Sequence, residues 1–227
     1  MGASRGLGDA LSSGFPRKGD IVWLVSRSEP RSLQRRDGVE REWIEADLSS
    51  NVSAEIIAKK IGQAPVDLFI YNAGIWEKNP FDKTSTDEIR SIVETNLTSL
   101  LLSVHHLLGN LRASARGRVI LIGSTCGLEN EGTPGVAYTA TKFAMRGVTH
   151  SLRELLRADK IPVTCISPGS MATDVPFEEG AATALERYNG QRIPVQDVVA
   201  LIRCIAELSV ATCVKEIVLP ALLDTDV

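Results

Sequence analysis

Gly2-Ala3-Ser4-Arg5-Gly6-Leu7-Gly8 opens the chain, and apolar residues at Leu7, Ala10, Leu11 and Phe15 carry it into a helical pattern. Glycines let a backbone approach a ligand closely, and a helix N-terminus offers N–H donors and the positive end of the helix dipole. Together they suit a pyrophosphate. The Gly-x-x-x-Gly-x-Gly spacing differs from the commoner Gly-x-Gly-x-x-Gly fingerprint, and a glycine cluster alone also describes an ordinary loop. The following runs decide the class. Asp20-Ile21-Val22-Trp23-Leu24-Val25-Ser26-Arg27 reads as a buried strand ending in a polar pair. Val66–Tyr71 runs into Asn72-Ala73-Gly74, Arg118–Gly123 into Ser124, and Ile161–Ile166 into Ser167-Pro168-Gly169. Strands are expected at 21–25, 40–44, 66–71, 118–122, 162–166 and 216–219, with amphipathic helices between them. Such alternation predicts an α/β fold with a parallel sheet covered on both faces, one domain over residues 1–227.

A second stretch carries chemistry. In Tyr138-Thr139-Ala140-Thr141-Lys142 the tyrosine and lysine are four apart, neighbours on one helix face. A unit charge at ~4 Å, at an effective dielectric of ~20, is worth about 4 kcal/mol, roughly three pKa units. That would bring a tyrosine, ordinarily near ~10, into the range of a usable acid or base. The pair alone is equally a helix with a surface lysine. Ser124, at the end of an apolar run, gives it a companion.

The 227 residues are 44% hydrophobic and 23% charged, ample for one α/β domain. A net charge of −3 gives no basic surface for nucleic acid. No apolar run approaches the ~18 residues of a membrane span and no signal peptide is visible, so a cytoplasmic protein is expected. Cys126, Cys165, Cys204 and Cys213 have neither metal-ligand spacing nor disulfide density, and His105, His106 and His150 fall within helices. No metal is expected. Cys165, Cys204 and Cys213 read as core residues. Cys126 either borders a pocket or is a small filler.

Taken together, the motifs resemble the classical short-chain dehydrogenase/reductase family from Gly2 to about Leu219. The resemblance rests on the glycine turn, Asp47-Leu48, Asn72-Ala73-Gly74, Asn96, Ser124, Tyr138 with Lys142, and Pro168-Gly169 followed by Thr173. It implies a three-layer Rossmann-type, doubly wound sheet of strand order 3-2-1-4-5-6-7 and a carbonyl–alcohol oxidoreductase. Catalysis would fall to Ser124, Tyr138, Lys142 and Asn96. Tyr138 would be the general acid/base, Lys142 would lower its pKa and bind the nicotinamide ribose, and Asn96 would hold a water. The family usually places its serine thirteen before the tyrosine, which here is Thr125. Ser124 is preferred, because Gly127 then keeps its usual offset and one residue is inserted within Glu129-Asn130-Glu131-Gly132. Gly2, Ser4, Arg5, Gly6, Leu7, Gly8, Asn72, Ala73, Gly74, Pro168, Gly169, Met171 and Thr173 would contact the dinucleotide, together with Tyr138 and Lys142. Asp47 would meet the adenine amino group, with Leu48 backing the ring.

After the second family strand an acid would select NAD. Here Ser26 and Arg27 follow, and Arg5 precedes the second glycine, so NADP(H) is expected. Trp76, Cys126 and Phe177 are pocket candidates, with a short lid at 175–192. Trp76 could equally be surface-packed. The C-terminus lacks the glycine-rich ending common in the fatty-acid-synthesis ketoreductases of the family. Ser85-Thr86-Asp87-Glu88 reads as a capping box. The broad apolar stripes of the helix after it and of the helix at 137–158 imply, by resemblance, a homodimer or homotetramer. One departure stands out. In the family a strand and a threonine precede the first glycine, whereas here Met1 stands in the threonine's place. The reading is that the natural chain starts further upstream, or else is a truncated copy. Without that strand, 21–25 should face 66–71 across a gap of roughly 9–10 Å. A non-catalytic nucleotide-binding or regulatory protein is the alternative to the enzyme.

Overall fold

The computed structural model describes residues 1–128 and 135–223. The chain runs α1 (Gly6–Gly14), β1 (Ile21–Ser26), β2 (Glu40–Glu45), α2 (Ser53–Ile61), β3 (Leu68–Tyr71), α3 (Thr86–Val93), α4 (Ser99–Ala113) and β4 (Arg118–Ile122). It continues with α5 (Val136–Leu155), β5 (Val163–Pro168), α6 (Gly180–Tyr188), α7 (Val195–Glu207) and β6 (Glu216–Leu219). All six expected strands form, within about two residues of their expected bounds, and all pair in parallel. The insertion inferred within 129–132 and the last four residues lie outside the described segments.

β4 and β5 are buried along their whole length, as strands covered on both faces must be. Alternation sends Val119 and Leu121 into one core layer with Leu100, Leu107, Met145 and Leu156 from α4, α5 and the turn after α5. Ile120 and Ile122 enter the opposite layer with Leu7 and Leu11 of α1 and Val198, Ile202 and Ile205 of α7. This is the doubly wound, three-layer arrangement.

The sheet is split. β1 pairs only with β2, while the other four strands run in the order β3-β4-β5-β6. A cleft of about 700 Å³ separates β1 from β3, lined by Ile21–Val25, Val66–Ile70, Leu11 and Leu107. The expected gap is therefore present, but it closes at its C-terminal end. The Gly2 and Ala3 N–H groups both donate to Val25 O, and the Asn72 N–H donates to Met1 O. The Met1 amine donates to Ile70 O at 2.9 Å, and its burial pushes its pKa down to about 5. Met1–Ala3 thus bond both edges as the last residues of a central strand would.

The capping box forms by half. Ser85 Oγ accepts the Glu88 N–H at 3.2 Å, but the Glu88 carboxylate accepts from Lys78 N–H instead of turning back on Ser85. A π-turn, Glu94–Thr98, interrupts the long helix between α3 and α4 and holds Asn96. Such bulges recur at functional sites.

Candidate active site

The site assembles at the C-terminal ends of the strands, where open parallel sheets hold their ligands. α1 starts at Gly6 without a side-chain cap, so its first N–H groups are open to an anion. The glycines are needed for close approach. Gly2 adopts φ +76°, and a Cβ there would lie 2.8 Å from the Ala73 backbone. A Cβ on Gly8 would lie 1.8 Å from Gly2 O. Asn72 Nδ2 donates to Gly2 O at 3.1 Å, knitting the two turns together. A Cβ on Gly6 would sit 3.2 Å from Thr173 Cβ, which brings the segment after Pro168-Gly169 against the same turn. Ser4 and Leu7 belong to this turn, and Met171 bridges to Ile193 just before Thr173. The residues present therefore fit a bound dinucleotide.

Arg5 and Arg27 are exposed at the rim. The buried Ser26 hydroxyl donates to Ser28 O at 2.7 Å. Asp47 accepts from the N–H and hydroxyl of Ser49, and the first of these bonds contributes most to holding its pKa low, with Arg27 assisting. Leu48 is only 7% exposed and belongs to the core layer with Val25 and Ile57, so it presents little surface to a ring.

Ser124, Tyr138, Lys142 and Asn96 converge. The Thr125–Gly127 turn packs on α5 so tightly that a Cβ on Gly127 would lie 2.8 Å from the Lys142 carbonyl. There Ser124 Oγ accepts the Cys126 N–H at 3.2 Å, and the Ser124 side chain acts on the Tyr138 phenol. A Cβ on Gly74 would sit 3.7 Å from Lys142 Nζ and 3.8 Å from Asn96 Oδ1. Cys126 borders the group, its charge interactions reaching both Tyr138 and Lys142.

The expected electrostatics need correction. Burial pushes the Tyr138 phenol up, and the Ser124 hydrogen bond only partly opposes this. Lys142 does not pull it down, because burial lowers the lysine itself to about 8 and Nζ donates to Ile122 O at 2.8 Å. Nζ stands 5.4 Å from the Tyr138 ring centroid. Asn96 is also more fully engaged than expected. Its Nδ2 donates to Ile75 O at 2.8 Å and to Thr141 Oγ1 at 3.1 Å, while Oδ1 accepts Ile75 N–H at 2.9 Å. Both amide protons are used, which leaves a water only the second lone pair of Oδ1.

Two pocket candidates are displaced. Trp76 is 64% exposed and forms no wall. Phe177 packs its ring on Gly14, at the far end of α1, and fastens the lid to that helix. Cys204 is exposed on α7, not in the core. Thr141, which ties Asn96 to α5, carries no motif that marks it in advance. Among the described residues no cluster could hold a metal, and no helix is long and apolar enough to cross a membrane.

Comparison with known proteins agrees with this geometry. The profile of the short chain dehydrogenase family matches residues 1–183. The 3-oxoacyl-(acyl-carrier-protein) reductase of Vibrio cholerae is 30% identical over 179 residues, 77% of this chain and 72% of that protein. Gluconate 5-dehydrogenase of Gluconobacter oxydans is 27% identical over 183 residues, 77% of this chain and 70% of that one. The structure of an alcohol dehydrogenase from Thermococcus sibiricus, complexed with 5-hydroxy-NADP, superposes with a TM-score of 0.82 at 23% identity, covering 97% and 94% of the two chains. This chain therefore belongs to the short-chain dehydrogenase family, oxidoreductases that use a nicotinamide cofactor.

Proposed function

We propose that the protein is an NADP(H)-dependent reductase that interconverts a small carbonyl compound and its alcohol. The observation that carries this reading is the gathering of Ser124, Tyr138 and the buried Lys142, with the Gly127 turn against the Lys142 backbone and Lys142 Nζ 5.4 Å from the Tyr138 ring centroid. The uncapped start of α1 would take the pyrophosphate, and Arg27 and Arg5 would face the 2′-phosphate, with Ser26 in the place of a repelling acid. Pro168, Gly169, Met171 and Thr173 would hold the carboxamide end. When bound, the dinucleotide supplies or accepts the hydride. Ser124 orients the carbonyl oxygen by hydrogen bonding. Tyr138 gives its proton to that oxygen during reduction and takes it back during oxidation. Lys142, whose Nζ stands 5.4 Å from the Tyr138 ring centroid, would bind the nicotinamide ribose. Asn96 keeps the Ile75 turn and Thr141 in place around this group.

With Trp76 in solvent and Phe177 on α1, neither ring is placed to enclose a substrate, which supports a small substrate or one that projects outward. The named activities of the relatives set the panel: aldehydes, diketones, quinones, 3-oxoacyl thioesters and oxo-acids. We further infer a homodimer or homotetramer, formed through α4 and α5. NADPH consumption across the panel tests the activity. Tyr138→Phe should abolish turnover and leave NADPH affinity unchanged. Turnover kept in that variant removes Tyr138 from the chemistry. A wild type that binds NADPH and turns over nothing favours the non-catalytic alternative.

A further inference from the structure

The loop after β3 is tied to its surroundings at three successive points. Asn96 holds both the N–H and the carbonyl of Ile75. Glu88, in the first turn of α3, accepts the Lys78 N–H at 2.9 Å. Between these anchors, Glu77 reaches α5. Its Oε1 accepts the Ala137 N–H at 2.6 Å, and Oε1 and Oε2 lie 3.4 and 3.3 Å from the Tyr138 nitrogen. The first N–H groups of a helix have no partner within it, and a carboxylate there gains both hydrogen bonds and the helix dipole. The residue in the N-cap place is Gly135, which brings no side-chain cap. The cap of α5 therefore comes from a residue 60 positions earlier. Trp76 turns outward, so the loop directs its carboxylate, and not its ring, at the helix.

We propose that Glu77 is a positioning residue for Tyr138. It bonds the backbone of the tyrosine, while burial, Ser124 and Cys126 act on the phenol. The Glu88–Lys78 and Asn96–Ile75 bonds fix the loop, the loop fixes Glu77, and Glu77 fixes the start of the helix from which Tyr138 projects. Small displacements of a proton donor cost much in rate, so a loose first turn of α5 lowers turnover without weakening substrate binding. This role rests on Tyr138 being the acid and base proposed above.

Glu77→Ala removes the cap, and Glu77→Gln retains a carbonyl acceptor. Three quantities are read on each: hydrogen exchange of the Ala137 and Tyr138 N–H groups, NADPH affinity by fluorescence, and kcat with KM on the best panel substrate. In Glu77→Ala the two N–H groups should exchange about fivefold to tenfold faster, as loss of an N-cap predicts. There kcat should fall about tenfold or more, with KM and NADPH affinity within about twofold. Glu77→Gln should recover most of both losses. Unchanged exchange in Glu77→Ala overturns the cap. Faster exchange with unchanged kcat reduces it to a structural contact, and a raised KM with unchanged kcat makes Glu77 a substrate ligand; either result overturns the positioning role. A wild type without turnover overturns the catalytic reading and the positioning role together, while the exchange rates still report whether the cap exists.

Discussion

Lys142 is 4% exposed and donates to Ile122 O, and burial brings its pKa from 10.5 down to about 8. Below pH 8 the folded protein bears the full cost of a buried ammonium. From about 8 to 10.5 the unfolded chain binds a proton that the folded chain does not, so stability rises with pH, by at most about 3 kcal/mol. Cys165 and Tyr138 are raised by burial from 9.0 and 10.0, and they act in the opposite sense above those values. The Met1 amine, lowered from 8.0 to about 5, acts in the same sense and fades above about 8, so the lysine is isolated by comparing Lys142→Met with the wild type across the window from about 8 to 9. Urea unfolding across it should show stability increasing with pH, and Lys142→Met should flatten the slope. A flat wild-type profile would contradict the buried ammonium. A second residue tests the proposed cofactor choice. Arg27→Asp should shift preference from NADPH toward NADH by roughly 1.5–3 kcal/mol, read by fluorescence titration of both nucleotides. Equal NADPH affinity in the two proteins would make Arg27 a bystander. At this scale the sequence revealed residue identities through spacing, as with Tyr138 and Lys142. It did not reveal exposure, so Trp76 and Phe177 went astray.

Elements were legible where a local rule decides them. The Ser85 cap, the fully apolar β4 and β5, and the helical start after Gly6 follow from nearest-neighbour chemistry. The destination of the Glu88 carboxylate does not, because Lys78 comes near only when the loop folds over α3. The divided sheet is an element-scale feature with a direct test. Asp20 O and Ser26 O accept from the β2 side, so Ile21, Trp23 and Val25 alternate toward the cleft. From β3, Ile70 faces it, through its bond to Met1, and so by alternation does Leu68. A Val/Ile-rich strand ending in threonine, added ahead of Gly2, would pair both edges. It should raise the melting temperature by at least about 5 °C. It should also slow exchange of the Trp23 and Leu68 N–H groups and tighten NADPH binding. Unchanged melting and exchange would show that the cleft does not accept a strand.

The whole molecule exposes apolar surface that its core does not use. The stripe on α4 divides, with Leu100, Val104, Leu107 and Leu111 buried and Leu101 45% exposed. On α5, Met145 is buried while Phe143 and Leu155 are 42% and 55% exposed. Leu101 adjoins Val148, Leu152 and Leu155 in one shallow groove. The proposed dimer or tetramer would bury this groove. Phe143→Asp or Leu155→Asp should turn a dimer into a folded monomer by sedimentation velocity. A monomeric wild type would overturn the assembly.

The sequence by itself determined the fold class, because strand and helix periods and turn chemistry are local and the glycine, Asn-Ala-Gly and Tyr-x-x-x-Lys signatures occur in order. It also determined which residues could carry the chemistry. Tertiary structure decided the rest. Packing of the Thr125–Gly127 turn on α5 set that turn against Lys142. Desolvation, which depends on every neighbour at once, pushes the tyrosine up and the lysine down, opposite to the expected tyrosine shift. Only folding brought Glu77 to the start of α5, since a hydrogen bond across 60 residues leaves no periodic trace in the chain.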